Sequence, residues 1–190
     1  MLKLKQKYSP ADYLEMEEVA DYRSEYYQGE VFAMAGETLN HNRIALDLCA
    51  SLNQRLAGQP CEAFAENIKV WAEAVSLFAY PDVIVVCGEP EFYPNRTDII
   101  LNPLVVVEVQ SVSTRKYDRG GKFDLYRAVP SFKEYLILDQ YRIHVEQYVL
   151  NEVGQWDMRE YRQASDSLSF SSIPVEIPLQ EIYRRVRWNS

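Results

Sequence analysis

Tyr80-Pro81-Asp82-Val83-Ile84-Val85-Val86-Cys87 decides the fold when it is read with Leu104-Val105-Val106-Val107-Glu108-Val109-Gln110-Ser111. Each stretch is a run of β-branched and apolar residues bounded by turn formers, the pattern of a buried strand. Each also carries one carboxylate, and burying a carboxylate is costly unless a cation compensates. Side chains alternate along a strand, so Glu108 and Gln110 share a face with Val106, while Val105, Val107 and Val109 fill the other. The two polar groups then lie roughly 7 Å apart along the strand. Asp82 follows Pro81 at the start of its own strand, at the sheet rim, where water and substrate have access.

If the two strands are neighbours, Asp82 and Glu108 can grip one ion. Hard divalent cations such as Mg²⁺ take oxygen ligands, keep several waters, and use one or two protein carboxylates beside substrate phosphates. Phosphodiester hydrolysis suits that arrangement. The plainer readings are a Pro-Asp turn that merely opens a strand, and a Glu108 held in a structural ion pair.

The chain of 190 residues, 47% hydrophobic, is long enough to bury a full core, and one domain over residues 1–190 is the simplest account. Its net charge of −8 argues against a surface that coats nucleic acid nonspecifically, so a nucleic-acid enzyme of this composition needs a local basic patch. Cys49, Cys61 and Cys87 lie far apart inside apolar runs, which predicts small buried hydrophobes in a reducing cytoplasm, with neither a disulfide framework nor a zinc pattern. No apolar run reaches the roughly 18 residues that span a bilayer, and the first seven residues lack the apolar segment of a signal peptide. A cytoplasmic protein, away from membranes, is expected.

Outward from the two valine-rich stretches, Ser9 caps and Pro10 opens a short helix to about residue 18. Residues 22–27 and 30–34, joined through Gln28-Gly29, predict a hairpin; Glu25 lies in its first strand, where a carboxylate is usually solvated or paired, the alternative being a metal or substrate role. Between residues 40 and 57, Ile44, Leu48, Leu52 and Leu56 recur every four positions, one face of an amphipathic helix that Gly58 and Pro60 end. His41, at the start of that helix, reads as an ordinary half-exposed histidine able to hydrogen-bond a capping group or a phosphate. Residues 64–71 and 77–87 predict two strands, and residues 88–103 a loop.

After the Glu108 strand, residues 111–122 carry Arg115, Lys116, Arg119 and Lys122 with two glycines, the one dense basic stretch of an acidic chain, ahead of a helix running to about residue 129. Asp118, Lys122, Leu125, Tyr126 and Val129 fall on one helical stripe. Its apolar members must face the sheet, which turns Lys122 toward Glu108, where an ammonium can stabilise phosphoryl charge or orient water, unless it snorkels to solvent. The remainder reads as strands over 134–139, 142–149 and 156–162, with His144 exposed and structural beside Arg142, Glu146 and Tyr148. Residues 182–188, with Arg184, Arg185 and Arg187, form a short basic helix or tail.

Pro81-Asp82, then Glu108-x-Gln110 one strand later, then a helix leading to another strand, resembles the PD-(D/E)xK nuclease superfamily and its restriction-endonuclease-like fold. More closely, Pro81-Asp82-Val83, the run from Val107 through Thr114, Asp118, Lys122, Tyr126 and Glu134-Tyr135 resemble the Uma-two family over roughly residues 8–149. The resemblance implies an α/β (α+β) fold, a central mixed sheet flanked by helices, here with an N-terminal helix and β-hairpin. It further implies Mg²⁺- or Mn²⁺-dependent hydrolysis of DNA, with Asp82 and Glu108 as metal ligands. In the wider superfamily a lysine stands two residues after the glutamate; here that position holds Gln110, which can orient a water but supplies no positive charge. The family takes its lysine from the following helix instead, and that position is Lys122, in agreement with the stripe. The expected catalytic set is therefore Asp82, Glu108, Gln110 and Lys122, acting on DNA as a homodimer. Alternatives are a nuclease fold that binds DNA without turnover, and a protein-interaction module, which the acidic charge and 14 tyrosines favour. A glycosidase carboxylate pair lacks an aromatic sugar platform around it.

Overall fold

The computed structural model describes residues 6–34, 36–111 and 117–188. Helix α1 (Pro10–Val19) opens on a capping box: Asp12 N donates to Ser9 Oγ and Ser9 N to the Asp12 carboxylate. Strands β1 (Ser24–Tyr27) and β2 (Glu30–Ala33) form the expected hairpin, turning at Gln28 and Gly29, both with positive φ. The amphipathic helix is α2 (Leu39–Leu56), capped by Thr38. Then come β3 (Cys61–Ala65), β4 (Lys69–Ala72), β5 (Leu77–Ala79), β6 (Val83–Cys87), β7 (Ile99–Ile100) and β8 (Val105–Gln110). A π-helical segment, Tyr117–Lys122, runs directly into α3 (Phe123–Tyr126). The chain finishes with β9 (Glu134–Asp139), β10 (Val145–Leu150), β11 (Trp156–Tyr161), β12 (Ser167–Ser169), β13 (Glu176–Pro178) and α4 (Leu179–Ile182).

The fold is mixed α/β, as expected. Six strands in the order β11-β10-β9-β8-β6-β3 make a mixed sheet in which β8 and β9 are parallel and the other pairs antiparallel. A second sheet has the order β2-β1-β5-β4-β7. The strands expected over 64–71 and 77–87 each break in two, because each passes from one sheet to the other. Glu66 and Asn67 adopt left-handed φ of 52° and 57° between β3 and β4, and Tyr80-Pro81-Asp82 separates β5 from β6. A proline gives no N–H to a ladder, so the second break falls where sheet pairing must lapse. The expected loop over 88–103 contains the short β7.

The two faces of β8 serve two cores. Val105, Val107 and Val109 pack with Ile44, Leu48 and Leu52 of α2 and with Ile177, Leu179 and Ile182 near the C-terminus. Val106 faces the other way, toward Tyr126, Val129 and Phe132 and toward Val70, Leu77 and Ala79 of the second sheet. The six-stranded sheet is thus covered by α2 on one face and by α3 with the five-stranded sheet on the other. A third cluster, Tyr13, Tyr26, Trp71, Phe78 and Ile99, fixes α1, where the Tyr13 hydroxyl donates to Ser24 O at 2.5 Å.

Two expectations about the cysteines and His144 need correction, and the C-terminal arginines gain a partner. Cys61 and Cys87 stand directly opposite each other in the β3–β6 register and are joined in a disulfide, leaving Cys49 free; distance along the chain carried no information about this cross-strand neighbour. His144 is buried, not exposed: β11 lies alongside, with Glu160 Oε1 3.5 Å from His144 Nε2, and the Tyr183 hydroxyl donates to His144 O. The C-terminal arginines are held as well as basic, since Arg184 and Arg185 both pair with the buried Asp47 of α2. No described helix is long and apolar enough to cross a membrane.

Candidate active site

Antiparallel pairing of β6 and β8 sets Val83 opposite Val107, which brings Asp82 alongside the end of β8. Asp82 is fastened there twice: its N–H donates to Val107 O at 3.1 Å, and its Oδ2 accepts from Val109 N at 2.5 Å. Glu108 lies between those two anchor residues, its side chain on the α3 face. Asp82 and Glu108 line one cavity of about 720 Å³.

Lys122 enters this cavity from the end of the π-helical segment. Its Nζ is 3.1 Å from Glu108 Oε1 and 2.9 Å from Glu25 Oε1, and the Tyr126 hydroxyl, four residues on, donates to the same Glu108 oxygen at 3.0 Å. Lys122 does not snorkel; it is 5% exposed and Glu108 4%. Burial alone would push the Lys122 ammonium down, but Glu108, Glu25 and Asp118 outweigh it and hold the pKa well above the ordinary lysine value. Burial drives the Glu108 carboxyl well above the usual carboxylate range, Lys122 opposing this in part and Asp82, Asp118 and Glu25 adding to it.

Two further residues belong to this site. Glu25 of β1 also accepts from Tyr80 N at 3.4 Å, so it ties the hairpin to the crossover that carries Asp82. His41 is buried rather than half-exposed, with Nε2 3.2 Å from Asp82 Oδ2 and Nδ1 3.5 Å from Glu37 Oε2. Burial works against the imidazolium, yet the Asp82 and Glu37 carboxylates beside it raise its pKa to about 10. In return, His41 lowers the pKa of Glu37. Nothing local in the sequence marks Glu25 or His41 for the site; each arrives by packing of distant segments.

Gln110 is buried and is not among the cavity's lining residues. Its backbone carbonyl accepts from Gln140 Nε2 at 3.1 Å, and Gln140, which also accepts from the Thr38 hydroxyl, does line the cavity. Of the basic stretch, Arg115 and Lys116 lie outside the described residues. Arg119 pairs with Glu146, leaving Lys122 as the one described member that reaches the cavity.

The walls set five carboxylates, Glu25, Glu37, Asp82, Glu108 and Asp118, against Lys122 and His41. Excess negative charge carried on hard oxygen donors suits a divalent cation. Glu37, His41 and Asp82 each offer an atom within 4.8 Å of the others, as do His144, Glu146 and Glu160 beside the β10–β11 pair.

Comparison with known proteins gives the family and the fold. The model of the Uma2 family, described as "Putative restriction endonuclease", matches residues 10–180. Uncharacterized protein sll1609 of Synechocystis sp. (strain ATCC 27184 / PCC 6803 / Kazusa) is 34% identical over 165 residues, covering 87% of this chain and 93% of that one. Uncharacterized protein slr1290 of the same organism is 36% identical over 178 residues, covering 94% and 92%. The crystal structure of a putative nuclease belonging to DUF820 from Anabaena variabilis ATCC 29413 has the same fold, with a TM-score of 0.75 at 13% identity over 92% of this chain and 96% of that one. On the strength of the family match and the two relatives, the chain belongs to the Uma2 family of restriction-endonuclease-like proteins.

Proposed function

We propose that the protein is a metal-dependent DNA endonuclease whose cation, Mg²⁺ or Mn²⁺, is held by Asp82 and Glu108. The observation that carries this reading is Lys122, a buried ammonium within 3.1 Å of Glu108 in the cavity that Asp82 also lines. It supplies, from the following helix, the cation absent at Gln110. The excess of carboxylates over cations along the cavity walls supports the fit of a divalent ion. When bound, such an ion supplies Lewis acidity toward the phosphoryl group and makes attack by water feasible near neutral pH.

The chain's own groups do the rest. Lys122, kept charged by Glu108 and Glu25, stabilises negative charge as it develops on the phosphoryl oxygens. Tyr126 holds the Glu108 carboxylate in place through its hydroxyl, and His41 does the same for Asp82. Gln110 acts one layer back, its carbonyl anchoring Gln140 at the cavity wall.

Purified protein incubated with supercoiled plasmid and Mg²⁺ or Mn²⁺ tests this. Nicking is expected from the wild type and is expected to be lost in Asp82→Ala, Glu108→Ala and Lys122→Met. No nicking by the wild type, or equal nicking by Asp82→Ala, refutes it.

A further inference from the structure

We propose that this site acts on single-stranded or locally unpaired DNA, held by bases stacking on an aromatic rim; the proposal rests on the reading of Asp82 and Glu108 given above. Three aromatic side chains from three separate parts of the fold line the cavity while staying open to solvent: Phe32, 47% exposed, Tyr117, 38%, and Tyr141, 51%. Large exposed aromatics converging on one opening are what a base-stacking platform requires.

Each of the three is positioned by the backbone that carries it. Phe32 is the direct cross-strand partner of Glu25, so it stands on the same face of the hairpin, above a carboxylate that touches Lys122. Tyr141 follows β9, and its N–H donates to Asp139 Oδ1 at 2.9 Å. One edge of the Tyr117 ring abuts Gly121: a Cβ there would come within 2.7 Å of it. Glycine at 121 is therefore what lets the Tyr117 ring rest against the backbone, 5.8 Å from the Lys122 ammonium.

The depth and charge of the cavity point the same way. Glu108 and Lys122 are all but fully buried, so a phosphate must descend past the rim to reach them. A stiff duplex keeps its phosphates on its own outer surface with bases stacked inside, whereas a single strand or an extruded nucleotide can enter a pocket. Duplex binding also draws its affinity from cations that neutralise many phosphates. The protein carries a net charge of −8, and the described arginines near the opening are already paired, Arg142 with Asp139 and Arg23 with Glu37.

The test is fluorescence anisotropy with the full chain, Ca²⁺ replacing Mg²⁺, comparing a labelled DNA oligonucleotide with the duplex of the same sequence. The strand is expected to bind at least about tenfold more tightly, and Phe32→Ala and Tyr141→Ala each to weaken it between about fivefold and about a hundredfold. Tyr141→Phe should retain strand binding, and the weak duplex binding should not change in any variant. Equal or tighter duplex binding, or alanine variants that bind the strand as the wild type does, overturns the proposal. Plasmid nicking separates the two readings: strand binding without nicking removes hydrolysis and leaves the stacking rim, while nicking that is indifferent to Phe32 and Tyr141 removes the rim and leaves hydrolysis.

Discussion

Replacing Lys122 with methionine removes the one described ammonium lying between two buried carboxylates while keeping most of the side-chain volume. Glu108, 4% exposed, loses a partner at 3.1 Å and Glu25 one at 2.9 Å. Breaking a buried pair in this way costs about 3–5 kcal/mol, because the surviving charge keeps its burial penalty without its compensation. At about 2–4 °C per kcal/mol for a chain of this size, the melting temperature should fall by about 6–20 °C. Thermal and urea unfolding in the presence of a chelator, followed by circular dichroism, would measure this. The double variant Lys122→Met/Glu108→Gln is the sharper assay, since removing the orphaned charge should return about 1–3 kcal/mol of the loss. A double variant whose loss equals the sum of the two single losses would refute the reasoning, because it would mean that Lys122 and Glu108 do not interact across the buried contact.

Other outcomes follow from the packing and the ion pairs. Leu48→Ala, at a fully buried position in the core between α2 and β8, should destabilise the protein by about 2–5 kcal/mol, read as a lower urea midpoint with an unchanged slope. Cys61→Ser should lower stability under oxidising conditions by about 3 kcal/mol, the loop-closure value for a modest loop, and reductant should bring the wild type down to the variant. Arg96 grips both oxygens of Asp98 at 2.8 Å and holds its carboxyl below the usual range. The stability this gives is present above the unfolded aspartate value and is lost as pH falls through the lower folded one. The pair is partly open to solvent, so Asp98→Asn should cost no more than about 1 kcal/mol at pH 7, with the difference closing in acid unfolding curves as pH falls below the unfolded aspartate value.

The parts of the fold that were legible in the sequence are those fixed by local periodicity. The alternation of β8 divides its valines between two cores, and the four-residue repeat of α2 sets the helix on the sheet. The direction of Lys122 was readable for the same reason, since Tyr126 and Val129 on its stripe must be buried. What the sequence did not disclose depends on contacts between distant segments. Runs 64–71 and 77–87 stay apolar through their sheet crossings, so hydrophobicity does not register the change of sheet at Glu66-Asn67 or at Pro81. Glu25 and His41 carry no local signature, because their partners Lys122 and Asp82 belong to other elements. His144 looked solvent-facing only because the position of β11 and the approach of Tyr183 cannot be read from β10 alone.

The segment Tyr80-Pro81-Asp82 is a hinge-pin between two layers. The pocket takes Glu25 from one layer, Glu108 from the other and Asp82 from the seam, so neither layer assembles the acidic cluster by itself. Docking of the layers and completion of the pocket are then one event. A nascent or half-opened molecule is expected to hold those carboxylates apart and hydrated until the layers close.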